Sequence, residues 1–306
     1  MRDIRRVLLA LDFNPGGRTL TAGSCIAADQ AFALASHLGA AVVLFHSAAT
    51  DEAWDAGEEN YVVVQGDALE VRRPVLDEVA DRFRRADLDV SVASTDEPAW
   101  LGIVRRVLRD RIDLVVAGKR NHPDRRGHPL GSISTKLLRK CPCAVWVARP
   151  DGATAPRRVL AASDLTAVGE RVVEYGAFVA GHFGAELHVV HAFQLPLAVQ
   201  IERGRAVADF DRRESEERTR RLEALVARVA GAPKPSIHVG RTSPTRAILE
   251  CNGCFDPDLV VMGTIARGGV AGLLVGNTAE RLLGRLDCSL LTIKPADFVC
   301  PVSLED

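Results

Sequence analysis

Two stretches of glycine and small polar residues carry the most chemistry in this sequence. In "MGTIARGGVAGLLVGNTAERLL", Gly263 ends an apolar run, small residues follow, and Gly276–Asn277–Thr278 opens a segment of helical period. Glycines allow close approach to the backbone, and a helix N-terminus offers unpaired N–H groups and a positive dipole end to an anion. Asn277 suits an N-cap and Glu280 lies three residues on, as in a capping box. Capping accounts for those two residues, but not for the glycine loop before them. The earlier stretch places Gly118, Asn121, Gly131 and Ser132 at the same spacing.

Other reactive side chains read more plainly as structure. Cys251 and Cys254 form a CxxC pair, yet zinc needs four ligands and no second pair stands nearby. This pair closes a helix, where a redox motif opens one. Cys141 and Cys143 flank Pro142 at the entry to a strand and read as small structural residues. His46 and His191 end equivalent strands and read as satisfied strand-end histidines near the expected cleft. Nothing sets a metal geometry for His122, Asp124 and His128. No Ser-His-Asp set or carboxylate pair stands at a defined spacing, and Asp12 or Asp164 acts as a base only if a reacting group is placed against it. Aromatics total 5% and no basic stripe interleaves with them, which argues against nucleic-acid binding by stacking.

The elements that must position these residues occur twice. "ALASHLGAAVVLFHS" aligns with "FVAGHFGAELHVVHA" at an offset of 145 residues, which sets His37 over His182 and His46 over His191. The same offset carries Asp113 to Asp258, Gly118 to Gly263, Gly131 to Gly276 and Cys143 to Cys288. A register kept this long signals an internal duplication. We expect one domain over residues 1–150 and a second over 157–306, joined by "DGATAP".

In the first half "IRRVLLAL", "AAVVLFHS", "LDVSVAS", "DLVVAGK" and "CAVWVARP" read as strands. Helices are expected over about Leu20–Leu38, Leu69–Arg85, Trp100–Arg109 and Leu130–Lys140. The second half repeats the strands in "RRVLAASD", "AELHVVHA", "PSIHVGR", "DLVVMGT" and "CSLLTIKP", with its longest helix near Arg205–Val229. Charge over Asp209–Arg221 reads as a solvated face. Alternation of continuous apolar strands with helices predicts α/β architecture: two doubly wound, parallel five-stranded sheets, Rossmann-like, with strands buried on both faces. Ligands of such sheets bind beyond the carboxyl ends of the strands, where strand order reverses.

The 306 residues are 47% hydrophobic and 26% charged, with net charge −1, which suits a soluble globular chain. The near-neutral charge implies neither a polyanion nor an anionic membrane surface as partner. The apolar run Ile26–Ala49 is broken by Asp29, Gln30, His37 and His46, which argues against a membrane span. Seven cysteines and no targeting segment suggest reduced thiols in a cytoplasm.

With these residues assembled, the chain resembles the universal stress proteins. Their phosphate-and-ribose loop runs strand-end Gly, two residues, Gly, nine residues, Gly-Ser/Thr. Gly263 and Gly276 match, with Ala266 at the middle glycine and Asn277 at the Ser/Thr position. The family's first-strand aspartate, near adenine in nucleotide-binding members, matches Asp12 and Asp164. The neighbouring position after the second-strand histidine is Ser47 in one half and Ala192 in the other. "GNTAE" and the tail "DFVCPVSLED" are most similar to the tandem E-type subgroup.

The resemblance implies an adenine nucleotide alpha hydrolase-like fold whose last strands pair, making an intrachain pseudo-dimer; further association of two chains stays open. It implies a stress-response regulator or protective protein binding ATP, AMP or another small ligand in the second half, with Mg2+ only alongside nucleotide. Asp164 and Ala192 would face the base, and Gly263, Ala266, Gly276, Asn277 and Thr278 would line ribose and phosphates. Asp12, Gly118, Gly131 and Ser132 form the weaker first-half set. There "HPDRRGHPL", with Pro123 and Pro129, suits a triphosphate poorly, and Arg125 and Arg126 suit another anion. The alternatives are a slow adenine-nucleotide hydrolase and a nucleotide-free scaffold holding another, apolar ligand.

Overall fold

The computed structural model describes residues 4–49, 68–119, 132–194, 205–264, 282 and 285–304. The first half runs β1 (Arg6–Ala10), α1 (Ala22–Leu38), β2 (Ala41–Ser47), α2 (Ala68–Arg84), β3 (Val90–Thr95), α3 (Ala99–Asp110), β4 (Leu114–Gly118), α4 (Ser132–Lys140) and β5 (Ala144–Ala148). The second half runs β6 (Arg158–Ala162), α5 (Ala167–Phe183), β7 (Glu186–Phe193), α6 (Arg205–Val226), β8 (Ser236–Arg241), α7 (Pro244–Phe255), β9 (Leu259–Gly263) and β10 (Ser289–Ile293).

Among the described residues, ten strands form one sheet in the order β3-β2-β1-β4-β5-β10-β9-β6-β7-β8. Pairing is parallel within each half, and the order reverses between β1 and β4 and again between β6 and β9. The halves join where β5 and β10 run antiparallel, with Leu290 opposite Val147 and Leu291 opposite Trp146. Each half thereby covers the other's exposed edge, which would otherwise present unpaired N–H and C=O groups.

Alternation along the strands divides the core between two faces. Val7, Leu9, Trp146 and Leu291 face the layer that holds α1, α2, α5 and α6. Leu8, Val145, Val147 and Leu290 face the layer of α3, α4 and α7. Both layers run unbroken across the antiparallel seam. The expectation that the strands are buried on both faces fails at β3 and β8, whose residues are mostly half-buried or exposed. They are the outer strands of the sheet, and each has a neighbour on one side only.

The repeat is also less regular than a single offset. α1 and α5 lie 145 residues apart, but β1 and β6 lie 152 apart. The difference is seven extra residues between β1 and α1. They form a folded loop, in which Phe13 pairs with Leu20 and Asn14 Nδ2 donates to Thr19 Oγ1 at 3.0 Å and to the Leu20 carbonyl at 2.9 Å. Gly16 and Gly17 turn the chain at φ of +88° and +70°, a region that side chains with a Cβ rarely adopt.

Candidate functional site

The carboxyl ends of β6, β7 and β9 define the second-half cleft. β6 passes into α5 through four residues, Ser163 to Thr166. Thr166 caps α5 by accepting from the Gly169 N–H, and Asp164 Oδ1 accepts from the Thr166 N–H at 3.0 Å and its hydroxyl at 2.6 Å. These two bonds fix the orientation of the Asp164 carboxylate, which is exposed. Ser163 Oγ donates to the Gly169 carbonyl at 2.9 Å and tightens the same turn.

His191 is buried at the end of β7, its Nδ1 2.8 Å from the Ser163 carbonyl. A carbonyl only accepts, so Nδ1 carries the proton and Nε2 is a bare acceptor. Burial depresses the His191 pKa; the bond to Ser163 opposes the shift, and the Arg218 guanidinium reinforces it. Arg218, on α6, lies 4.5 Å from the Phe193 ring centroid and pairs with Glu214. Arg221, one turn further, donates to the Leu165 carbonyl at 3.0 Å and to Glu170 at 2.5 Å. Ala192 is half-buried beside His191. Gly263 ends β9 against α5, where an added Cβ would stand 2.9 Å from Val168 Cγ1.

The first half repeats this plan and packs the extra loop against it. His46 Nδ1 donates to the Leu11 carbonyl at 3.1 Å, and its Nε2 accepts from Arg72 Nη1 at 2.5 Å. Burial depresses the His46 pKa here too. The Arg72 guanidinium sits 5.5 Å from the Phe13 ring centroid, and Phe13 meets His46 edge-on at 4.8 Å. An added Cβ at Gly17 would lie 3.2 Å from Arg72 Cγ, so the extra loop packs directly on this arginine. Asp12 contributes a carboxylate that favours the charged form of Arg72, against the cost of its burial. Ser47 Oγ donates to the Glu97 carbonyl at 2.6 Å. At Gly118 the end of β4 meets the start of α1 backbone to backbone, and an added Cβ would stand 2.3 Å from Gly23 C.

Of the residues expected at the sites, Asp164, Ala192 and Gly263 therefore lie together at the carboxyl ends of the second-half strands. Asp12 and Gly118 hold the corresponding ends in the first half. Ala266, Gly276, Asn277, Thr278, Gly131, Asn121, His122, Asp124, Arg125, Arg126 and His128 lie outside the described residues, and Ser132 is described only as the backbone start of α4. Cys251 and Cys254 close α7 as free thiols. Among the described residues no three His, Cys, Asp or Glu side chains are grouped to hold a metal.

Sequence reasoning missed Arg72 and Arg218, the arginines that approach the two strand-end histidines. A signal was present. Aligning Leu76, Val79 and Phe83 with Leu222, Leu225 and Val229 superimposes Arg72 on Arg218.

Comparison with known proteins agrees with this geometry. The universal stress protein family pattern matches residues 3–149 and again 156–294. The chain is 29% identical over 232 residues to universal stress protein E of Escherichia coli K12, covering 72% of each chain. It is 30% identical over 218 residues to universal stress protein E of Salmonella typhi, covering 67% of this chain and 68% of the other. A Pseudomonas aeruginosa PAO1 structure of unknown function shares the fold at TM-score 0.71 and 21% identity, covering 96% of this chain and 94% of that one. A universal stress protein from Archaeoglobus fulgidus does so at TM-score 0.65 and 20% identity, covering 96% and 99%. With the family matched in both halves of one continuous sheet, the chain belongs to the universal stress protein family, as a tandem of two of its domains.

Proposed function

We propose that this tandem protein serves a cytoplasmic stress response by binding an adenine nucleotide, or a ligand of like shape, in its second half. One observation carries the choice of half. The second-half switch point is spanned by a four-residue turn that holds Asp164 at the strand ends, whereas in the first half the longer connection, Phe13 and Arg72 pack over the end of β2 at His46. Asp164 Oδ1 is spent on Thr166, and no bond to Oδ2 occurs among the described residues. That oxygen suits an amine donor such as the exocyclic nitrogen of adenine. Ala192 adds no bulk beside it. Gly263, Ala266, Gly276, Asn277 and Thr278 are assigned to ribose and phosphates, with Mg2+ entering only alongside them.

Binding confined to the native state stabilises it by ~2.7 kcal/mol when ligand exceeds Kd by about a hundredfold. ATP with Mg2+ therefore raises the melting temperature of the full chain. Gly276→Val removes the rise and Gly131→Val leaves it. An unchanged melting temperature at millimolar ATP and AMP, with Mg2+, overturns the nucleotide reading.

A further inference from the structure

The antiparallel seam carries a group of thiols that nucleotide binding does not use. Cys141 and Cys143 lie in the bend between α4 and β5, their sulfurs 3.5 Å apart. Cys141 is fully buried and Cys143 partly so. Lys294 reaches this bend from the second half: its Nζ donates to the Leu138 carbonyl at 2.5 Å and the Arg139 carbonyl at 3.3 Å. Cys300 follows from the same half, its thiol donating to the Lys140 carbonyl at 3.4 Å. A cation and a thiol from one domain thus cap the last turn of a helix in the other, directly beside the paired sulfurs.

We propose that Cys141 and Cys143 form a reversible dithiol–disulfide site for small peroxides at the junction of the two halves. The thiolate is the attacking species, and the surroundings place it on Cys141. Burial raises the pKa of both thiols. At Cys141, hydrogen bonds involving Cys143 and the field of the Lys294 ammonium outweigh that effect and lower it. Cys143 is pushed well up, by burial and then by its bond to Cys141, and so keeps its proton.

The Cys141 sulfur attacks one peroxide oxygen, the O–O bond breaks, and hydroxide leaves with that bond's electron pair. Hydroxide takes up the proton that Cys141 lost on ionising, which makes the first water. The Cys143 sulfur then displaces the sulfenic oxygen, which leaves as the second water with the Cys143 proton. Two thiols and one peroxide become one disulfide and two waters. The sulfurs must close by roughly 1.5 Å to reach bonding distance. A bond across a single intervening residue is strained, and strained disulfides are readily reduced.

The CxxC pair is the internal rival. It stands at the carboxyl end of α7, where the dipole disfavours a thiolate, and burial followed by the charge of Cys254 pushes Cys251 up to about 11.

The full chain, reduced and then exposed to hydrogen peroxide, is mapped by peptide mass before and after dithiothreitol. The expected product is a Cys141–Cys143 peptide lighter by two hydrogens, resistant to alkylation until reduced, and formed equally in C251S. In C143S a dimedone adduct accumulates on Cys141. Oxidation confined to Cys251–Cys254, a bond from Cys141 to Cys300, or conversion of Cys141 and Cys143 to acids that dithiothreitol does not reverse each overturns the assignment. The wild-type map requires no variant to fold.

Discussion

His37 and His182 hold the same position in the two repeats and meet ring to ring across the halves, centroids 3.9 Å apart and planes inclined at 44°. Duplication thus places a residue against its own copy. Phe178 and Phe183 surround the pair, His182 being 4.5 Å from Phe183. Two imidazoliums at this distance repel, and His182 is partly withdrawn from water, so its charged form is disfavoured.

That contact makes the fold sensitive to acid. Burial, then His37, lowers the His182 pKa, and burial also lowers those of His46, His191 and His238. As pH falls below about 6.5, the unfolded chain takes up protons that the native chain refuses. The stabilisation is therefore complete above that value and is lost as pH falls towards the depressed native pKa values. Urea midpoints measured from pH 7.5 to 5 are expected to fall steadily. His37→Gln, which removes the like charge, shallows the slope, and an identical slope in that variant refutes the role of the pair.

Arg72 and His46 make the first-half cleft self-contained. Removing the guanidinium strands the His46 Nε2 as a buried acceptor and uncovers Phe13. Arg72→Met is expected to cost about 1–3 kcal/mol in urea unfolding. Faster amide exchange over Leu11–Leu20 should accompany that loss, because the loop packs on this side chain. Unaltered exchange there would mean that the loop stands without Arg72.

Lys294 gives the seam an alkaline signature of opposite origin. Burial lowers its pKa from 10.5 to about 8, so between those values the unfolded chain binds more protons than the native one and stability rises with pH. The span corresponds to about 3 kcal/mol. Cys288, which burial pushes up to about 12, acts in the other direction, but Lys294 is not among the groups that shift it, so its effect is common to wild type and variant. The difference in urea midpoint between wild type and Lys294→Met should therefore shift in favour of wild type from pH 7.5 to pH 10. A constant difference would show that Lys294 is not held in this way.

Much of this was legible because strand and helix each impose their own period on the sequence. "RRVLAASD" and "AELHVVHA" read as strands and formed β6 and β7, and the helix ends fell within about two residues of Leu38, Arg84 and Lys140. The pairing of the last strands followed from family resemblance and appears as Leu291 opposite Trp146. The extra length was implicit in the match of Asp12 to Asp164, 152 residues apart against 145 downstream, but the packing of that loop on Arg72 was not. Arg72 was hidden because it is one charge among many on a helix. Only the fold brings it over Phe13, and only the alignment of apolar faces pairs it with Arg218.

Gly118 and Gly263 occupy equivalent positions, and the structure separates them. Gly118 lies against the Gly23 backbone, where an added Cβ would stand 2.3 Å from a carbonyl carbon that cannot move without displacing α1. Gly263 lies against a side chain, with Val168 Cγ1 2.9 Å from the same added atom. A valine can turn about its χ1 at the cost of a less favoured rotamer, whereas the backbone has no such freedom. Gly118→Ala is therefore expected to lose about 1–3 kcal/mol by overpacking, and Gly263→Ala less than half as much. Replacing Val168 by alanine should remove the Gly263→Ala strain. No single side-chain truncation relieves Gly118, because its neighbour is already glycine. Equal losses at the two positions in urea titrations would refute the distinction.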